Sequence, residues 1–241
     1  MRQTPITGKL VQAITAKRRK KANIIANSTF FGTIAFCLLL FYGSEFRNDD
    51  YLTLCCILAV GFALAVGFYL WGNRSHPCAS IVSWCQKQPN PEQEMQKIDA
   101  FSQTIPEFKG LRANADYFLA IVGTRAEFAP ASECVWCYRY VFTQFYLFIP
   151  ISSDHKIIMR LADGSAIEIP LGMEIPFVTS RKAIKMMEYI SSQMPFLAFG
   201  YTDELKAAYD DAETRQLFIK DIKQRCAYFK RLQVERNVHS T

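Results

Sequence analysis

The residues best suited to chemistry are Cys134 and Cys137, in the run Cys134-Val135-Trp136-Cys137. Two thiols three apart act as a redox pair when a helix N-terminus lowers the pKa of one of them. They supply half of a tetrahedral zinc site when a second pair of ligands completes it. Neither setting accompanies them here. The flanking residues alternate like a strand, where positions three apart are expected on opposite faces. The three histidines, His76, His155 and His239, are scattered. The pair reads as ordinary strand residues, and a redox or metal sensor built on Cys134 and Cys137 is the alternative. No Gly-x-Ser-x-Gly, His-Glu-x-x-His or Gly-rich phosphate loop occurs. Asp210, Asp211 and Glu213 fall in a helical pattern as a solvated face. The sequence therefore leads us to expect no catalytic residue, no metal ligand and no cofactor.

Two apolar patterns are better candidates for function. Trp136, Tyr138, Tyr140 and Phe142 alternate along one strand and share a face. Leu205, Tyr209, Ile219, Ile222 and Phe229 recur at helical spacings together with Ala212 and Cys226. Such stripes are core where a sheet covers them and an interaction surface where nothing does. Period-two patterning places further strands at 117–123, 126–129, 145–151, 156–162, 165–171 and 174–178, with 145–151 at an edge because of Pro150. Residues 152–155 read as a turn, and Asp163-Gly164 as a two-residue type I′ hairpin with positive φ at both positions. Helical patterns cover 78–88, 92–104 and 180–194, the last ended by Pro195. A single long helix capped by Thr202 extends to Val234.

What positions this region is a charge-free hairpin. Residues 22–44 and 51–73 each run 23 residues without a charged side chain, and about 20 apolar residues suffice to cross a bilayer. Residues 1–27 carry seven of the 28 Lys and Arg and no acid, while the connection 45–50 has one Arg and three acids. Basic flanks favour the cytoplasmic side, so both termini are expected in the cytoplasm, in a two-pass inner-membrane protein. From residue 72 onward 20 basic residues face 19 acidic ones. The net charge of +6 is thus an orientation signal carried by the basic segment 8–21, and no aromatic interleaves that segment as nucleic-acid binding would need. A cleaved signal peptide is disfavoured by the length of the apolar run. Gly61 and Ala65 have the small-xxx-small spacing that lets membrane helices approach closely, and Tyr69 and Trp71 suit the interface. Two spans without intramembrane charge do not make a transporter, though an accessory subunit of a transport complex is a second alternative. The cysteines outside the spans would face a reducing compartment and are expected unbridged.

The expected organisation is a basic segment 1–27, a transmembrane α-helical hairpin 28–73 (spans about 28–44 and 51–71), a helical connector 74–110, a β-rich domain 111–200 and a helix and tail 201–241. The soluble part is an α+β domain of about seven antiparallel strands and C-terminal helices. The stretches 117–123, 133–138 (Glu133-Cys134-Val135-Trp136-Cys137-Tyr138), Leu161-Ala162-Asp163-Gly164 and 195–205, in that order behind two spans, resemble uncharacterised bacterial two-span membrane proteins with a cytoplasmic pleckstrin-homology-like (PH-like) domain. The resemblance implies that fold and brings no established activity. A phosphoinositide site on such a fold would need a basic first loop, and only Arg125, beside Glu127, is present there. The resulting expectation is a membrane-anchored interaction or scaffold protein, integral in the lipid bilayer, that binds a protein partner or itself. Its candidate interaction surface comprises Trp136, Tyr138, Tyr140, Leu205, Tyr209, Ile219, Ile222 and Phe229.

Overall fold

The computed structural model describes residues 8–43, 50–74, 76–178 and 180–239. It forms two compact units, one over Thr7–Cys78 and one over Ala79–Thr241. The first unit is a pair of contacting helices, α1 (Lys9–Gly43) and α2 (Asp50–Arg74). Both are long and apolar enough to cross a membrane. Their outward surface is apolar: Phe31, Phe36, Leu38, Leu39, Val60, Phe62 and Leu64 are all exposed within the unit. Such a surface suits lipid, whereas a soluble core helix would bury it. Most of the connection, residues 44–49, lies outside the described residues, so the expected side of the loop does too.

The seam between these helices is made of small residues. Ala22, Ala26, Cys37 and Ala65 are buried. A Cβ on Gly61 would collide with the Thr33 side chain, and one on Gly72 with Ala22. Thr33 cannot swing away freely, because it is β-branched and its hydroxyl donates to the Thr29 carbonyl at 2.8 Å. The Gly61–Ala65 spacing therefore serves packing within the hairpin. At one end Arg18, at the basic end of α1, lies over the Trp71 ring at 4.1 Å from its centroid and donates to the Trp71 carbonyl. Basic segment and first span form one continuous helix.

The second unit opens with α3 (Ala79–Gln86) and α4 (Pro91–Thr104). Asn90 caps α4, accepting from the Gln93 amide, and Pro91 takes the first helical position, where its missing N–H is no loss. A first sheet follows: β1 (Leu111–Ala113), β2 (Tyr117–Val122) and β3 (Arg125–Pro130) in antiparallel order. α3 packs on β3, with Ser80 bridging the Ala126 carbonyl and the Phe128 amide. A single 3-10 turn, Ala131–Glu133, leads to the second sheet, ordered β6-β5-β4-β7. Its strands are β4 (Cys134–Tyr146), β5 (Ile149–Leu161), β6 (Ala166–Glu174) and β7 (Ala198–Phe199). α5 (Arg181–Gln193) lies between β6 and β7, and α6 (Asp203–Asp210) and α7 (Ala212–His239) close the chain.

Among the described residues there are seven strands, but β7 pairs with β4 in parallel, so the domain is not wholly antiparallel. Four other expectations change. The segment 145–151 is not a strand: it straddles a reversal at Leu147-Phe148, and the expected turn at 152–155 lies inside β5. Residues 175–178 follow β6 as a turn rather than forming a strand of their own. At Asp163-Gly164 only Gly164 has positive φ (+91°), and Leu161 pairs with Ser165 across three residues. That is a type I turn with glycine at the left-handed position, stabilised by Asp163 accepting from the Ser165 amide and hydroxyl. The expected single C-terminal helix is two. Asp211 leaves the helical backbone and caps α7 by accepting from the Thr214 amide, so this acid has a structural task.

Candidate functional site

The strand carrying Cys134 and Cys137 is irregular at its start. Cys134 pairs with Leu161 and Trp136 with Arg160, so Val135 is a bulge. Cys137 pairs with Met159, and Leu161 and Met159 are two apart on one face of β5. The bulge therefore puts both thiols on the same face, contrary to simple alternation. Both are fully buried. Cys137 Sγ lies 3.6 Å from Met187 Sδ of α5, and Cys134 Sγ faces the Pro130 carbonyl. Burial, then the neighbouring Cys137, Cys226 and Glu133, holds the Cys134 thiol well above its ordinary value, and burial alone raises Cys137. A thiol without access or thiolate character is inert. All eight cysteines are unbridged, and among the described residues no group of three or more His, Cys, Asp or Glu could hold a metal ion.

The aromatic stripe divides partway along β4. Trp136 is 1 % exposed and Tyr138 is buried. The Trp136 indole N–H donates to the Gly200 carbonyl at 2.6 Å, and its ring packs on Tyr138, Tyr201 and Tyr209. Tyr140 and Phe142, further along, are exposed. The helical stripe is core: Tyr209, Ile222 and Cys226 are buried, and Leu205, Ile219 and Phe229 are half-buried against the same cluster. Tyr209 also donates to the Leu161 carbonyl at 2.7 Å. Of the candidate interaction residues, Tyr140 alone is exposed.

The open apolar surface is elsewhere. β4 and β5 are 13 residues each, about 43 Å long at 3.3 Å per residue. Beyond Ser153 they run past the end of β6, whose last residue Glu174 pairs with Ser153. Residues 144–152 are therefore a two-stranded tip. With the adjoining ends of the strands they make an arm, residues 140–153, that contains no Asp, Glu, Lys, Arg or His. The apex residues are Leu147, 74 % exposed, and Phe148, 97 % exposed. Exposed apolar groups lie on both faces: pairing puts Phe142, Tyr146 and Ile149 on one and Val141 and Phe145 on the other.

The polar side chains of the arm are paired with one another. Thr143 and Ser153 hydroxyls meet at 3.0 Å, and Ser152 donates to Gln144 at 3.2 Å. The apex itself is strained. Leu147 and Phe148 have φ of 45° and 69°, the doubly left-handed geometry that Asn-Gly normally fills; each such bulky residue costs on the order of 1–2 kcal/mol. A second apolar projection leaves the sheet at the same end, because β6 runs towards the apex. There Ile175, Pro176, Phe177 and Val178 make a turn, with the Val178 amide on the Ile175 carbonyl and Phe177 at φ 64°. Pro at the second position and positive φ at the third is the type II pattern, whose third residue is ordinarily glycine. Met173, Ile175, Phe177 and Val178 are all exposed. Ser180 secures the return by capping α5 and donating to Glu174 at 2.7 Å.

At the base of the arm His155 is buried between Val141 and Gly172, and neither ring nitrogen has a hydrogen-bond partner among the described residues. A groove of about 440 Å³ between β2–β3 and β5–β6 holds Arg125, Glu127, Lys156 and Glu168. Its charges balance, and Lys156 is bound to Glu168 at 3.1 Å.

The arm has a signal in the sequence: the 14-residue charge-free run 140–153. Pro150 and the serine cluster break that run into an apparent strand and turn, which hides the hairpin. No protein-family model, curated protein or solved structure matches the chain.

Proposed function

We propose that this protein is a two-pass membrane protein whose PH-like domain is an interaction module rather than an enzyme, acting through the β4–β5 arm and the adjoining 175–178 turn. The carrying observation is the arm itself. It is charge-free, apolar on both faces, and tipped by two large apolar residues held in a backbone conformation they disfavour. A two-stranded hairpin is marginal in water by itself, and large exposed apolar patches mark binding sites. Strain retained at an apolar apex supports selection for what those side chains meet.

Two sheets of three and four strands followed by C-terminal helices support the PH-like reading. The buried thiols argue against the redox sensor. The seven basic residues before the first span support cytoplasmic termini, with the domain on that side of the membrane.

Photo-crosslinking tests the role of the arm. A benzophenone amino acid replacing Phe148 in the full chain, irradiated in native membranes, gives covalent adducts well above those from the same probe at the exposed Arg125. Equal, background-level adduct formation at both positions overturns the reading.

A further inference from the structure

We infer that the occupant of the arm is the lipid bilayer surface: the Leu147–Phe148 apex inserts among headgroups and upper acyl chains of the membrane in which this chain is anchored. This rests on the interaction-module reading above and names its partner.

Three observations select lipid over a protein. The first is that apolar exposure covers both faces and the tip of the arm. A protein docking on one face of a two-stranded ribbon leaves the other in water, whereas an interface entered end-on surrounds both. The second is composition. The arm has no charge to pair with a partner's rim, and its five aromatics (Tyr140, Phe142, Phe145, Tyr146 and Phe148) stand among aliphatic residues. Tyrosine is enriched where a bilayer meets water, and depletion of both charge signs fits an uncharged acyl region. The third is reach. Residues 75–78 alone join α2 to α3, a linker that extends less than about 20 Å even when stretched. A domain so tethered stays close to the membrane surface.

The geometry also limits the depth. Below the apex the edges of β4 and β5 present unpaired backbone groups, which hydrocarbon does not tolerate. Leu147, Phe148, Tyr146 and Ile149 can enter, while the paired hydroxyls of Thr143 and Ser153 and the charge of Asp154 mark the level that stays in the headgroup region. Insertion of this kind reaches about 5–10 Å, as for other interfacial anchors.

The test uses the full chain purified and reconstituted in nanodiscs of phosphatidylcholine and phosphatidylglycerol, with the benzophenone probe at Phe148 or, for comparison, at Leu217 of α7, which is 68 % exposed. The expected result is a mass increase of one phospholipid at 148 and none at 217. A probe at Tyr146 gives the same adduct, and Leu147→Asp with Phe148→Asp abolishes it. Lipid adducts of equal yield at 148 and 217 overturn the inference, since the whole domain then lies against lipid without a specific site. Absence of lipid adducts in nanodiscs, with protein adducts at 148 in native membranes, overturns the lipid assignment and leaves the interaction module standing. No adduct in either setting overturns both.

Discussion

Trp136 distinguishes a core from a binding surface most sharply, and Trp136→Phe is the perturbation to make. The substitution removes the 2.6 Å indole bond to Gly200 and part of a ring enclosed by Tyr138, Tyr201 and Tyr209. The net loss of one hydrogen bond is about 1 kcal/mol. It falls at the low end of the range because Gly200 is exposed and its carbonyl can turn to water. The missing ring atoms leave a cavity in a site that is 1 % exposed. Phe or Trp to Ala costs about 3–5 kcal/mol, and this smaller truncation about a third to a half of that. The sum is about 1.5–3 kcal/mol. For a unit of this size about 1 kcal/mol moves Tm by about 2–4 °C, so the domain should melt about 3–12 °C lower. Far-UV circular dichroism of the full chain in detergent, following the lower-melting transition, reads this without relying on tryptophan emission. Adducts from the Phe148 probe should be unchanged at temperatures below both transitions. A shift in Tm under about 1 °C combined with lost adducts would refute the reasoning, because the indole would then be acting at a surface.

Three other outcomes follow from the same structure. Gly61→Leu forces α1 and α2 apart at Thr33, and disulfide trapping between cysteines introduced along the hairpin seam should slow markedly, whereas Gly67→Leu, which meets nothing nearby, should not. Glu94 is pushed up by burial, but hydrogen bonds from Tyr117, Lys97 and Trp84 outweigh that and hold its carboxyl below the ordinary value. A depressed folded pKa contributes stability above the unfolded pKa and loses it as pH falls through the folded one. Tyr117→Phe, which removes a 2.7 Å bond to Glu94, should therefore cost about 1.5–3 kcal/mol at pH 7 and progressively less below about pH 4, as read by urea titration at each pH. Finally, Cys85 is pushed up to about 11 by burial and by the charges of Glu94 and Asp99, and burial likewise raises Cys134 and Cys137, which are fully enclosed. A maleimide at pH 7.5 should leave all three unmodified until denaturant is added; labelling of either β4 thiol at the rate of an exposed cysteine would reopen the redox reading.

Local chemistry alone determined much of this protein. Twenty-three charge-free residues, twice, give a hairpin of membrane-length helices because hydrocarbon demands both length and neutrality. Asn90-Pro91, Ser180, Pro195 and Thr202 set helix boundaries to within a residue or two, since caps and proline act through neighbouring atoms. Strand positions near 117–122 and 126–129 were legible from alternation for the same reason.

The tertiary structure decided what those elements face. Alternation says that Trp136, Tyr138, Tyr140 and Phe142 share a side; only the position of Tyr201 and Tyr209, packed on Trp136 with Tyr201 also on Tyr138, makes the first two core and leaves the last two exposed. One extra residue at Val135 turned two thiols onto one face, a change of register that no local propensity encodes. The apex at Leu147-Phe148 lacks every residue that marks a reversal. Pairing of two 13-residue strands imposes it from outside the turn, and in doing so places two large apolar side chains where nothing in the domain covers them.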